Sequence, residues 1–170
     1  LGYDNVVKLF GNEKFCISHG EINFVTMANQ YTLLFLACVL GHKQIVQFLV
    51  KSGAEIDRAD NHGFTPLYVA SELGYEETVK YLVKSGAEIN GCTKDGRTPF
   101  YAACYSGHTN IVEYLHLSGA DINCADVDGH TPLRTASFSG HQKTVEYLVE
   151  SGVEINRADN EGFTPLYLAS

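Results

Sequence analysis

The sequence is poor in basic residues, with 12 lysines and arginines against 20 aspartates and glutamates and a formal charge of −8. Such a chain lacks the basic face that displaces counterions from a phosphate backbone, so nucleic acid is not an expected partner. The carboxylate excess suits solvated helix faces that keep a protein soluble. Long hydrophobic runs are missing too. The longest, Leu33 to Leu40, falls well short of the roughly 20 residues that cross a bilayer. Nor do the first residues, Leu1 to Phe10, show a charged stretch followed by an apolar one, as a signal peptide would. No membrane contact is expected of this segment. An initiator methionine is absent, so more chain upstream is expected, carrying any targeting address. With only four prolines and 45% apolar residues, the composition is that of a folded chain.

Cysteine is present in an odd number, five (Cys16, Cys38, Cys92, Cys104 and Cys124), with no C-x-x-C spacing. That argues against a disulfide framework and against a zinc site, and it suits a reducing compartment. An intracellular setting is expected, cytoplasmic with the nucleus as the alternative. Phosphate-cradling glycine loops, a nucleophile elbow and paired catalytic carboxylates are all missing. We therefore expect no catalytic residue, no cofactor and no enzymatic activity.

What the sequence does have is a period. Thr32, Thr65, Thr98, Thr131 and Thr164 stand 33 residues apart, as do Ala37, Ala70, Ala103, Ala136 and Ala169. Gly41, Gly74, Gly107 and Gly140 keep the same step, and so do Gly53, Gly86, Gly119 and Gly152. Cys38 and Cys104 share a repeat position with Ser71 and Ser137, which points to a small side chain there rather than a reactive thiol. One unit can be read from residues 60–92. Thr65 is an N-cap type followed by Pro66 at the first helical position. Leu67, Ala70 and Ser71 then share a helical face before Gly74 supplies a left-handed stop. A second helix carries Val79, Leu82 and Val83 and ends at Gly86. Ala87 to Gly96 reads as an extended stretch and a tight turn. Two short amphipathic helices cannot bury their apolar faces alone, so the units must stack.

The run Asp60-x-x-Gly63-Phe64-Thr65-Pro66-Leu67-x-x-Ala70, followed by Gly74, Val79, Leu82-Val83, Gly86-Ala87 and Asn90, closely resembles the ankyrin repeat. The pattern recurs at Gly96-x-Thr98-Pro99, at Gly129 to Leu133 and at Gly162 to Leu166, so the resemblance covers about residues 28–170. It implies an all-α solenoid of helix–turn–helix units joined by β-turn or hairpin loops. The expected units are a degenerate remnant at 1–27, a divergent repeat at 28–59, repeats at 60–92, 93–125 and 126–158, and a truncated repeat at 159–170. In the divergent unit Gln30 replaces the turn glycine and Leu33 the proline. The family's His after Thr-Pro-Leu is replaced by Tyr68, Tyr101, Arg134 and Tyr167. Its His-to-Thr hydrogen bond is thereby removed, and the tyrosine hydroxyls must find other partners. Leu166 and Ala169 would be exposed without a following helix, and residues 58–71 and 157–170 agree at 12 of 14 positions. Both points suggest a piece of a longer, block-duplicated array.

Three side-chain series invite functional readings. His42, His108 and His141, with Tyr75 in the fourth copy, follow the inter-helix glycine. One repeat apart means roughly 8–10 Å apart, too far for ligands that must each lie about 2 Å from one zinc ion. Capping or surface contact is expected instead, and no metal. Phe48, Tyr81, Tyr114 and Tyr147 form a ladder on the second helices, expected to pack between repeats with the hydroxyls reaching water. The third series follows from the resemblance. Family ligands usually meet the turn tips and the inner face of the first helix, which here means Asn61, His62, Phe64, Lys94, Asp95, Arg97, Val127, Asp128, His130, Glu161 and Phe163 at the tips. Leu73, Tyr105 and Phe138 add the first-helix ends. Phe64, Tyr105, Phe138 and Phe163 are expected to be exposed, and aromatics with Arg97 make typical interface anchors. The resemblance also implies substrates for an asparaginyl hydroxylase at Asn90, Asn123 and Asn156, each eight residues after a leucine. The expected function is a non-catalytic, monomeric scaffold that binds a partner protein. The alternative is a regulatory or spacer segment of a larger protein (channel, kinase, ligase or effector) whose activity lies outside residues 1–170.

Overall fold

The computed structural model describes residues 22–23, 25–26 and 28–164. Most of the remnant at 1–27 lies outside the described residues, as do residues 165–170 with Leu166, Tyr167 and Ala169. Among the described residues there are eight helices and, in place of a sheet, one isolated bridge between Val25 and Thr32. The helices are α1 (Leu33–Val39), α2 (Lys43–Lys51), α3 (Pro66–Glu72), α4 (Glu76–Lys84), α5 (Pro99–Ser106), α6 (Thr109–Leu117), α7 (Pro132–Phe138) and α8 (Gln142–Glu150). The fold is an all-α stack of helix pairs.

Each pair begins as the sequence dictates. The hydroxyls of Thr32, Thr65, Thr98 and Thr131 accept the N–H of the third residue onward, at 3.0–3.2 Å. Each satisfies one of the four N–H groups that a helix start leaves without a partner, worth about 1 kcal/mol. The first helix stops at a residue such as Gly74, whose φ of 79° is the left-handed region that costs a side chain energy. Gln30 adopts φ 59°, alone among the described non-glycine residues in that region. It takes over the turn-glycine position of the divergent unit and bears the strain.

First helices stack in the order α1, α3, α5, α7, and second helices in the order α2, α4, α6, α8. The first layer is the more closely packed. Ala37, Ala70, Ala103 and Ala136 are completely buried in it, and a side chain this small lets neighbouring helices approach closely. Leu49, Leu82, Leu115 and Leu148 of the second layer are fully buried against this seam, each contributing about 1.5–3 kcal/mol. The first helices and the turn tips make one side of the stack, its inner side, and the second helices make the outer side. Cys38 and Cys104 fill the same buried slot as Ser71. The Ser71 hydroxyl donates to Leu67 O at 2.8 Å, whereas burial pushes both thiols far above their usual pKa and keeps them protonated.

The aromatic ladder packs between repeats as expected, against the core, but its hydroxyls do not simply reach water. Tyr81 Oη donates to Gln47 O at 3.4 Å, Tyr114 Oη to Lys80 O at 3.5 Å, and Tyr147 Oη meets His116 Nδ1 at 2.8 Å. Each partner lies on the preceding second helix. A hydroxyl at the rim of a packed ring reaches the nearest open acceptor, and here that is the neighbouring repeat.

Candidate functional site

The turn tips form a ladder of their own. Asn61 N–H donates to Asn29 O, Lys94 N–H to His62 O, Val127 N–H to Asp95 O and Asn160 N–H to Asp128 O, at 2.9–3.2 Å. One backbone bond per repeat therefore sets the tips at a fixed spacing with their side chains outward. Asn61, His62, Lys94, Asp95, Val127, Asp128 and Glu161 are all exposed, as their turn positions predict.

Behind three of the four tips lies a carboxylate that clasps the turn. Asp126 is fully buried at its side chain; its Oδ1 accepts from Asp128 N–H at 3.1 Å and His130 N–H at 2.9 Å. Asp159 Oδ1 likewise accepts from Glu161 and Phe163 N–H, and Asp60 Oδ1 from His62 and Phe64 N–H. In the fourth copy the Thr93 hydroxyl does this job for Arg97 N–H at 3.1 Å. In two of these clasps, those of Asp126 and Asp159, the second oxygen faces the preceding repeat. Tyr101 Oη donates to Asp126 Oδ2 at 3.3 Å, and Arg134 Nε to Asp159 Oδ2 at 2.8 Å. Tyr101 and Arg134 are two of the residues standing where the family has histidine, and these carboxylates are their partners.

The clasp changes the standing of several predicted contact residues. Arg97 is not a free anchor: its Nε lies 3.5 Å from Asp126 Oδ2 and its guanidinium covers the Tyr101 ring at 5.7 Å. His130 is half-buried with Nδ1 3.3 Å from the same oxygen. Phe64 is half-buried rather than exposed, because its ring folds back onto Tyr68 with centroids 4.9 Å apart. Phe163 is half-buried as well. By contrast Tyr105 and Phe138 are 53% and 69% exposed, at equivalent positions of α5 and α7, and Leu73, which caps the end of α3, is 44% exposed. Beside them Glu72 is half-buried. Burial raises its carboxyl pKa, and the Arg97 guanidinium pulls in the opposite direction.

The tips and first helices are electrostatically and sterically coupled through buried tyrosines. Tyr68 on α3 feels the charges of Glu72 on its own helix and of Arg97 and Asp95 at the next tip. Arg97 in turn lies over Tyr101, one helical turn before Tyr105. On the outer side Leu117 is 76% exposed at the end of α6, which the 33-residue register gave no reason to expect.

Two histidines of the inter-helix series are packing devices. His108 Nε2 meets Glu72 O at 3.1 Å and His141 Nε2 meets Tyr105 O at 2.9 Å. A Cβ added at Gly74 would lie 2.6 Å from the His108 ring, and one at Gly41 2.7 Å from Tyr75. Each ring covers the glycine of the repeat before it. Among the described residues one group brings three potential metal donors within 4.8 Å, namely Asp126, Asp128 and His130. Asp126 is already committed to two amides and the Tyr101 hydroxyl, and an ion there would meet the Arg97 guanidinium. The geometry is that of a turn clasp.

The asparagines singled out for hydroxylation bind the loops together. Asn90 Oδ1 accepts Asp121 N–H at 3.0 Å and its Nδ2 donates to Gly119 O at 3.3 Å. Asn123 Oδ1 accepts Glu154 N–H at 2.9 Å. Asn156 is exposed. Among the described residues no helix is long and apolar enough to cross a membrane.

Residues 2–92 and 86–159 match the family model of ankyrin repeats in three copies. Similar proteins include the ankyrin repeat and KH domain-containing protein mask of Drosophila melanogaster and the ankyrin repeat domain-containing protein 17 of Homo sapiens. Each is 44% identical over 45 residues, which is 26% of this chain. The matched stretch spans 1% of the fly protein and 2% of the human one.

Proposed function

Because this chain belongs to the ankyrin repeat family, whose repeats are generally protein–protein interaction modules, we propose that it is a non-catalytic scaffold binding a partner protein through its turn tips and first-helix ends. The observation that carries this reading is the pair Tyr105 and Phe138. Two large aromatics stand exposed at the same position of adjacent repeats, 53% and 69%, and the core makes no use of them. Exposed aromatics clustered on a rigid frame are the usual anchors of an interface. The other residues of the surface are Asn61, His62, Leu73, Lys94, Asp95, Val127, Asp128 and Glu161, with Phe64, Arg97, His130 and Phe163 supporting it from partly buried positions.

The test is recovery of a partner from matched lysate. Tyr105→Ala with Phe138→Ala is expected to lose it, while Leu117→Ala on the outer face keeps it. Equal recovery by all three proteins, with circular dichroism unchanged, rejects the surface.

A second reading is supported by the small share of its relatives that the chain spans, and by a relative whose name joins ankyrin repeats to a KH domain. In it the segment is a regulatory or spacer element of a larger protein, with the activity elsewhere. Deleting the segment from the whole protein separates the two: lost partner binding alone supports the scaffold, and altered activity of another domain supports regulation. Asn90, Asn123 and Asn156 are proposed hydroxylation positions, and an unchanged intact mass after exposure to an asparaginyl hydroxylase rejects them.

A further inference from the structure

Two lanes stand out among the exposed side chains of the inner face. One is apolar and runs along the first-helix ends: Tyr105 and Phe138 share one register position, and Leu73 stands one residue beyond it in the repeat before, where the half-buried Glu72 holds that position. The other is acidic and runs along the tips: Asp95, Asp128 and Glu161, all exposed and all at the same register position. The backbone bonds Asp95 O to Val127 N–H and Asp128 O to Asn160 N–H fix the acidic lane at one carboxylate per repeat. Nearby Arg97 and Arg134 are paired with the buried Asp126 and Asp159, which leaves Lys94 against three exposed carboxylates.

Spacing decides what fits. Stacked helices lie about 8–10 Å apart, and seven residues of an α-helix rise about 10.5 Å. A helix laid across the repeats thus returns the same face to each repeat once per heptad. A β-strand covers a similar distance in three residues, but successive steps of three point to opposite faces, so a strand cannot hold one lane. Width agrees as well. The first helix α5 has 8 residues, about 12 Å of length between tip and helix end, which is about the diameter of a helix with its side chains.

Resting on the scaffold reading above, we propose that the inner face takes a basic amphipathic α-helix of a partner protein. That helix lies across the repeats and presents an apolar residue and a lysine or arginine once per heptad. The apolar residues sit on Leu73, Tyr105 and Phe138, and the cations face Asp95, Asp128 and Glu161.

Fluorescence anisotropy of the full chain with labelled peptides tests this. The probe is a helical peptide of about three heptads, with leucine at one position of each and lysine four residues later. A control of equal composition and equal measured helicity has its lysines moved out of heptad register. The in-register peptide is expected to bind about tenfold more tightly than the control at low salt. Combining Asp95→Asn, Asp128→Asn and Glu161→Gln abolishes most of that advantage, and high salt does the same in the native chain. Tyr105→Ala with Phe138→Ala weakens binding at both salt concentrations. Equal binding of the two peptides, or an unchanged affinity in the acidic triple variant, overturns the proposal. So does equally tight binding of a polyproline-type peptide with lysine at every third residue. If a captured partner is lost with Tyr105→Ala and Phe138→Ala yet indifferent to the acidic triple variant, the scaffold reading stands and the basic helix is rejected.

Discussion

The hydroxyl of Tyr101 donates to the buried carboxylate of Asp126, 3.3 Å away and one repeat further along the chain. Asp126 uses its other oxygen to hold the two amides of its own tip, so one side chain couples a turn to the helix behind it. The coupling is unequal in its parts. Tyr101→Phe removes one hydrogen bond and is expected to cost about 1 kcal/mol. Asp126→Ala leaves two amides and the Tyr101 hydroxyl without their acceptor and Arg97 without its counter-charge, and is expected to cost about 3 kcal/mol. Urea denaturation of the two variants checks the ratio; equal losses would mean the clasp is not the organising contact.

Gly74 and Gly86 share a positive φ, of 79° and 92°, but only Gly74 carries a histidine ring from the next repeat, while nothing lies within 4 Å of a Cβ at Gly86. Alanine at Gly86 is expected to cost about 1 kcal/mol, from the backbone alone. Alanine at Gly74 adds the displacement of His108, for about 2–3 kcal/mol in all. Thermal unfolding of both variants measures the difference, and identical melting temperatures would dismiss the ring contact.

Acid should weaken the stack through Asp159. Burial acts to raise its carboxyl pKa, but the Phe163 and Glu161 amides and the Arg134 guanidinium outweigh it, so the group is held below the usual carboxylate range. With a folded pKa below the unfolded value of about 3.9, the stabilisation is fully present above that value. It is lost as pH falls through the folded pKa. The urea midpoint of the native chain is expected to fall from about pH 4 downward, and Asp159→Asn to show a shallower fall.

Phe64 and Phe138 both lie on the predicted contact surface, yet their truncations should differ. Phe138 is 69% exposed, and Phe138→Ala is expected to change stability by less than about 0.5 kcal/mol. Phe64 packs on Tyr68, and Phe64→Ala should cost about 1–2 kcal/mol. Chemical denaturation checks the pair; equal stability would place the Phe64 ring in solvent.

Most of the fold was legible because it is local. A threonine before proline caps a helix within four residues, and a glycine stop acts on the turn it ends. Even Gln30 could be read, since only the register marks it as a glycine substitute, and it does take the left-handed conformation. The contacts between repeats were not legible in the same way. Tyr101 and Asp126 are 25 residues apart and His108 reaches Glu72 over 36. A 33-residue period shows that such positions recur, but not which rotamer carries a ring or hydroxyl backward or forward. The surface was half legible for the same reason. Tyr105 and Phe138 stand exposed as their helix-end position suggests, whereas Phe64 and Arg97 turn back onto neighbours that only three dimensions supply.

The row of single backbone bonds along the tips also sets how the molecule yields. Each joint between repeats is closed at the tips by one such bond, and each repeat touches only its neighbours. One joint therefore opens without the others, and the number of places where the stack can open grows with the number of repeats.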